Sequence, residues 1–266
     1  MNDDKHFRHI IAEIDRLNQR GGRMLSLVDL VRAGTLDAPC AAWLATRMAE
    51  GASLLTAAQP GGAGKTTIMA ALLGFLSPGV RIETVSDASV LDGEPDGPTC
   101  YLVHEIGSGP YYAYLWGDDV TRFLDKAGDS RSSVASNLHA DTMEELTSSL
   151  VGQLDVPRDT LANVDLILFI RMRRGMGGVR RWVNEVWVSN RAGDDASAAP
   201  AETHRIAWRC EEYGAPFEAS EGLPGETDPA IRSLLDSALN GAGAWTIGEL
   251  RQIGRASCRE RVCVGV

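Results

Sequence analysis

The chain has 266 residues, 44% of them hydrophobic and 23% charged, enough for one large α/β domain with a buried interior and unlike a disordered or fibrous composition. With 26 Lys plus Arg against 36 Asp plus Glu, its net charge of −10 excludes a grip on nucleic acid through diffuse positive potential, leaving only local basic patches. The longest strongly apolar run, Val164 to Ile170, is far short of the roughly 20 residues of a membrane span, and the charged start MNDDKHFRHI lacks the apolar stretch of a signal peptide; a cytoplasmic location is expected.

Phe7, Ile10, Ile11, Ile14 and Leu17 recur at helical spacing, and the pair Gly21-Gly22 stops that helix. A second helix is expected from Pro39 to Ala49, with Ala42, Leu44, Ala45 and Met48 on its apolar face. Runs of strand length then alternate with helical stretches. The strands are Ser53 to Ala58, Val80 to Ser86, Cys100 to Ile106, Ser133 to Leu138 and Val164 to Ile170; the helices are Lys65 to Leu76, Tyr111 to Lys126 and Thr142 to Leu154. This alternation predicts an α/β fold, a mostly parallel sheet with helices on both faces. The glycine-rich segment between Arg171 and Arg181 reads as a hairpin leading into the strand Arg181 to Ser189, an antiparallel edge.

Residues Arg191 to Glu202 lack periodicity and read as a linker, followed by a strand over His204 to Cys210. Asp228 caps a helix with Pro229 at its first position and Ile231, Leu234, Leu235 and Leu239 at helical spacing; Thr246 and Glu249 form a capping-box pattern for one more. The tail Ile253 to Val266 has no apolar periodicity, and its first ten residues resemble the translation of a sequencing adapter, so it is set aside as an assembly scar. The expected organisation is a helical N-terminal extension (1–50), a core (51–190), a linker (191–203), a small C-terminal appendage (204–252) and the scar (253–266). The five cysteines, Cys40, Cys100, Cys210, Cys258 and Cys263, are scattered without C-x-x-C spacing and read as reduced thiols.

The sharpest chemical signal is QPGGAGKTT, Gln59 to Thr67, between an apolar strand and an apolar helix. A bound triphosphate needs backbone N–H groups converging on its phosphates, and Gly61, Gly62 and Gly64 let the main chain approach without Cβ clashes. Ala63 and Thr67 complete the loop, Lys65 reaches the β and γ oxygens, Thr66 holds Mg²⁺ through its hydroxyl, and the helix presents its positive end. The usual G-x-x-x-x-G-K-[ST] pattern begins with Gly, where this chain has Gln59.

Such a loop needs an acid that positions water or the metal, and Glu105 closes the apolar run CYLVHEI. Asp87 follows RIETVS and suits either a metal-bound water network or a turn cap. His139 closes SVASNLH and suits either contact with the γ-phosphate or capping of the next helix. Arg171, Arg173, Arg174, Arg180 and Arg181 make the hairpin a basic patch, suited to an acidic neighbour or an anion, or simply solvated.

In order and spacing, QPGGAGKTT, VSDASVL, YLVHEIGSG, SNLHADTMEELTSSL and VDLILFIRM resemble the ATPases of type II and type IV secretion and of type IV pilus motors, over about Ser53 to Asn190. The resemblance implies a RecA-like P-loop core that binds ATP and Mg²⁺. Within it, Glu105 is catalytic and touches the metal with Thr66, Asp87 acts on metal or water, and His139 senses phosphate. It also implies a homo-oligomeric ring acting on a membrane platform protein, cytoplasmic or peripheral at the inner membrane, with no direct nucleic-acid partner. Several positions depart from the family. Ser86 stands in place of an acid, His104 in place of Gly, Gly107-Ser108 in place of Arg-Asp, and NLHA in place of TLHT or TLHA. About 50 residues precede the core, fewer than the separate domain that closes over the nucleotide and contributes arginines in the family. These departures support an alternative: an ATP-binding switch or scaffold with weak hydrolysis.

Overall fold

The computed structural model describes residues 2–18, 21–190 and 203–253. Helices α1 (Asn2–Arg16), α2 (Leu27–Arg32) and α3 (Ala38–Ala49) precede strand β1 (Leu54–Ala57) and helix α4 (Lys65–Leu73). Next come β2 (Arg81–Thr84), β3 (Thr99–Leu102), β4 (Glu105–Ile106), β5 (Tyr114–Leu115), α5 (Asp118–Asp125) and β6 (Ser132–Leu138). Then follow α6 (Met143–Thr147), α7 (Arg158–Leu161), β7 (Leu166–Gly175), β8 (Gly178–Ser189), β9 (His204–Arg209), β10 (Glu218–Ala219) and α8 (Pro229–Asn240). The strands form one sheet in the order β10-β9-β8-β7-β1-β6-β3-β2, with β4 beside β6 and β5 beside β4. Pairing from β7 through β1, β6 and β3 to β2 is parallel, while β7 to β10 are antiparallel. The fold is therefore the expected α/β class, and its antiparallel side extends beyond the hairpin through β9 and β10.

Successive residues of the central strands face opposite sides of the sheet. Leu54, Leu166 and Leu168 pack with α1 to α4 and α8, whereas Leu55, Ile167 and Phe169 pack with α5 to α7. Burying Met48 on the first side and Phe123 on the second, both fully enclosed, contributes roughly 2 kcal/mol each. Strand β2 is an edge whose carbonyls need partners. Helix α1 supplies some: the Nε2 atoms of His6 and His9 lie 3.0 and 2.9 Å from the carbonyls of Val80 and Ile82.

Several elements differ from expectation for local reasons. Helix α2 is short and has no long apolar period, but Ser26 and Asp29 close a capping box around its first turn. The helix expected from Tyr111 starts only at Asp118: Tyr114 and Leu115 pair with β4 instead, and Gly117 at φ +73° turns the chain into α5. The strand expected over Cys100 to Ile106 divides, because the His104 N–H leaves the ladder to bond the Ala113 carbonyl at 2.8 Å. Helix α6 runs into a π-turn over Ser148–Gln153.

Thr246 and Glu249 form their capping box at 3.1 and 2.7 Å, starting helical turns over residues 247–253. From there the buried Arg251 donates to the Gly74 and Leu76 carbonyls just beyond α4, a cation at a helix C-terminus. The linker 191–202 and the tail 254–266 lie outside the described residues. Cys40, Cys100 and Cys210 are buried free thiols, and burial pushes Cys100 up to about 12; Cys258 and Cys263 lie outside the described residues. No helix among the described residues is long and apolar enough to cross a membrane.

Buried His204 gives the fold an acid-sensitive point. Its Nε2 lies 2.7 Å from the Val164 carbonyl, and burial pushes its pKa down from 6.5 to about 4. A depressed histidine pKa means that the unfolded chain takes up the proton first, so stability held above pH 6.5 is lost as pH falls toward 4. The expected loss from this residue is up to about 3 kcal/mol. Urea midpoints at pH 7 and pH 4.5 should converge for His204→Gln relative to the unaltered chain; an identical pH slope in both would contradict this assignment.

Candidate nucleotide-binding site

The site lies at the carboxyl ends of the central parallel strands, where the sheet leaves backbone groups and loops open above it. β1 ends at Ala57, and the chain turns through Gln59 to Gly64 into α4. Gly62 at φ +82° and Gly64 at φ +103° sit in the left-handed region, which a side chain adopts only with strain. Gln59 does not, so that position has no need of glycine. Its residue is used otherwise. Its N–H donates to Asp141 Oδ1 at 2.9 Å, its carbonyl lies 2.8 Å from His139 Nδ1, and its amide donates to Glu145 Oε2 at 3.4 Å. The departure from the loop pattern thus ties the start of the loop to the residues after β6.

Register brings the distant motifs together. β1 lies beside β6, with Ala57 opposite Leu138, so Gln59 meets His139; β4 lies on the other side of β6, with Ile106 opposite Leu138, so Glu105 meets it too. Lys65 Nζ donates to the Ala58 carbonyl at 3.0 Å and stands 3.8 Å from Glu105 Oε2, while His139 Nε2 is 3.2 Å from Glu105 Oε1. Burial lowers the Lys65 pKa, and the Glu105 and Asp141 carboxylates pull it back up. Tyr114, opposite Glu105 in the β4–β5 pair, has its phenol pushed up by burial and by Glu105.

Buried Asn137, the first residue of the departing NLHA segment and one to which the sequence assigned no role, joins these parts. Its amide donates to Thr66 Oγ1 at 3.2 Å and to the His104 carbonyl at 2.7 Å, and its oxygen accepts from Thr56. An asparagine inside an apolar strand is the signal that would have found it, since a buried amide must be satisfied. His104 is 5% exposed, and burial lowers its pKa. Neither of its ring nitrogens has a hydrogen-bond partner among the described residues.

Lys65, Thr66, Glu105 and His139 share one cleft of about 570 Å³, together with Gly61 to Ile68 of the loop and first helical turns. Asp87 is placed elsewhere. At the end of edge strand β2 it is exposed and caps the 3₁₀ turn Ala88–Leu91 by accepting from Ser89 N at 2.9 Å; hydrogen bonding from the Ser89 side chain, and then from this N–H, lowers its pKa.

The opposite wall comes from parts that carry no motif. Leu17, Met24, Leu25 and Leu30 of the N-terminal region give it an apolar side, and Arg180, Arg181 and Tyr213 close it. Arg181 Nε donates to the Gly62 carbonyl at 2.8 Å, so the basic hairpin reaches the loop; Arg171 pairs instead with Asp141 at 3.5 Å.

No group of three or more His, Cys, Asp or Glu side chains able to hold a metal occurs among the described residues. Mg²⁺ would be held by the Thr66 hydroxyl, the phosphates of a nucleotide and water, with Glu105 nearby, as a hard ion that keeps much of its hydration.

No protein-family model and no curated protein matches the chain. Among solved structures it is similar to the VirB11 ATPase of the Brucella suis type IV secretion system in complex with sulphate, at 20% identity and TM-score 0.41, over 61% of this chain and 54% of that one. It is also similar to the Legionella pneumophila ATPase DotB, at 12% identity and TM-score 0.35, over 90% of this chain and 59% of that one. The chain thus spans a little over half the length of these two proteins.

Proposed function

We propose that the chain binds ATP with Mg²⁺ in this cleft and hydrolyses the terminal phosphate. The observation that carries the reading is the convergence of Lys65, Glu105 and His139, at 3.8 and 3.2 Å about the Glu105 carboxylate, beside a loop that needs glycine at two positions. The first-turn N–H groups of α4 have no partner within the helix and suit phosphate oxygens. Lys65 neutralises charge on the phosphates, and Thr66 offers its hydroxyl to the metal, its orientation fixed by the Asn137 amide. Bound Mg²⁺ would supply Lewis-acid charge at the phosphate oxygens. Glu105 orients a water and accepts its proton, and His139 lies where it can contact the γ-phosphate. Preorganised charge and position, rather than covalent chemistry, supply the rate.

Assembly as a ring, action on a membrane platform protein of a secretion or pilus system, and a cytoplasmic or inner-membrane-peripheral location belong to the same proposal. Their support is the order of motifs from Gln59 to Asn190. Phosphate release from ATP tests the reading: it should stand clearly above the buffer blank and fall by about tenfold or more when EDTA removes the divalent ion. Tight binding with background turnover would select the switch or scaffold instead, which the buried His104 beside Glu105, its ring nitrogens without a hydrogen-bond partner among the described residues, favours. Turnover indifferent to EDTA would contradict the metal assignment.

A further inference from the structure

We infer that Arg181 contacts the phosphate chain of the bound nucleotide, an arginine supplied within the same chain by the β7–β8 hairpin; the inference rests on the nucleotide reading above. Its Nε donates to the Gly62 carbonyl at 2.8 Å, and its Cδ lies 3.3 Å from the place a Cβ would take on Gly64. The side chain is therefore laid against both left-handed glycines of the loop.

One of its five N–H donors is engaged there, which leaves the two terminal amino groups of a planar fork suited to phosphate oxygens. Among the described residues no carboxylate pairs with it, in contrast to Arg171, whose guanidinium meets Asp141. A half-buried guanidinium without a counter-charge, lining the same cleft as Lys65 and Thr66, calls for an anion.

The strand that carries it is also anchored just beyond it. The neighbouring Trp182 donates through Nε1 to the Cys210 carbonyl at 3.2 Å, and the Val183 N–H bonds the Thr35 carbonyl at 2.9 Å. A cation held this way loses little freedom on meeting its ligand. The competing role is a prop: Arg181 would only hold the Gly62 carbonyl, and its charge would be incidental.

Three variants of the full chain separate the two roles by calorimetric titration with ATP and Mg²⁺, with melting temperature as the control for folding. Arg181→Ala should weaken binding about 10- to 100-fold. Arg181→Gln keeps an N–H donor for Gly62 but no charge, and should be as weak as the alanine variant; Arg181→Lys keeps the charge without the fork and should recover part of the affinity. Binding preserved in Arg181→Gln would reduce Arg181 to a prop and overturn the inference alone, as would unchanged affinity in Arg181→Ala. Failure of the unaltered chain to bind ATP would overturn the nucleotide reading and this inference with it.

Discussion

Lys65→Ala is expected to raise the dissociation constant for ATP by about 100-fold or more, measured by titration at constant free Mg²⁺. Two effects add. The variant removes a cation able to make charge-assisted bonds to phosphate, each contributing roughly 1.5–3 kcal/mol. It also leaves the Glu105 carboxylate, which Lys65 faces at 3.8 Å, to repel the incoming polyphosphate. The Lys65 side chain is only 8% exposed, so solvent screens this exchange poorly. The fold should survive, because the ammonium bonds the Ala58 carbonyl beyond the end of β1 and takes no part in the strand ladder. A melting temperature close to that of the unaltered chain would establish that. An unchanged dissociation constant would contradict the role given to Lys65.

Glu105→Gln should separate binding from chemistry. The amide has the shape of the carboxylate, so β4 and its pairing with Tyr114 and with β6 can persist. It cannot accept a proton from water, and loss of a positioned base typically lowers turnover by about 100- to 10,000-fold. Binding of ATP should stay within about threefold of the unaltered chain, or tighten as the repulsion between carboxylate and phosphates disappears. Single-turnover hydrolysis is the measurement that reads the chemical step alone. Loss of affinity with turnover retained would place Glu105 in binding and not in catalysis.

The strand, loop and helix around Lys65 were legible because each is a local property: an apolar run, small residues where the backbone must turn, and an apolar helix after them. Glu105 and His139 were legible as polar ends of apolar strands, and the parallel pairing of β4 and β1 with β6 brings them to the loop. What stayed hidden depends on long-range placement. The apolar wall of Leu17, Met24, Leu25 and Leu30 has no motif, and its relation to the loop appears only when the N-terminal segment folds over the cleft. The charge of Arg181 was plain in the sequence, but its contact with Gly62 depends on how the hairpin packs over the loop. The segment Tyr111 to Lys126 reads as one helix, yet Tyr111, Tyr112 and Trp116 are exposed and Tyr114 and Leu115 pair as a strand. Asp87 shows the reverse case, where a motif position is filled by a residue whose observed work is to cap a turn.

The most direct test of the central claim is an isothermal titration of ATP into the intact chain with Mg²⁺ present. The account predicts one saturable site per chain, weakened by removal of the divalent ion and by Lys65→Ala. A flat thermogram at every concentration of ATP, with the chain shown to be folded, would contradict it.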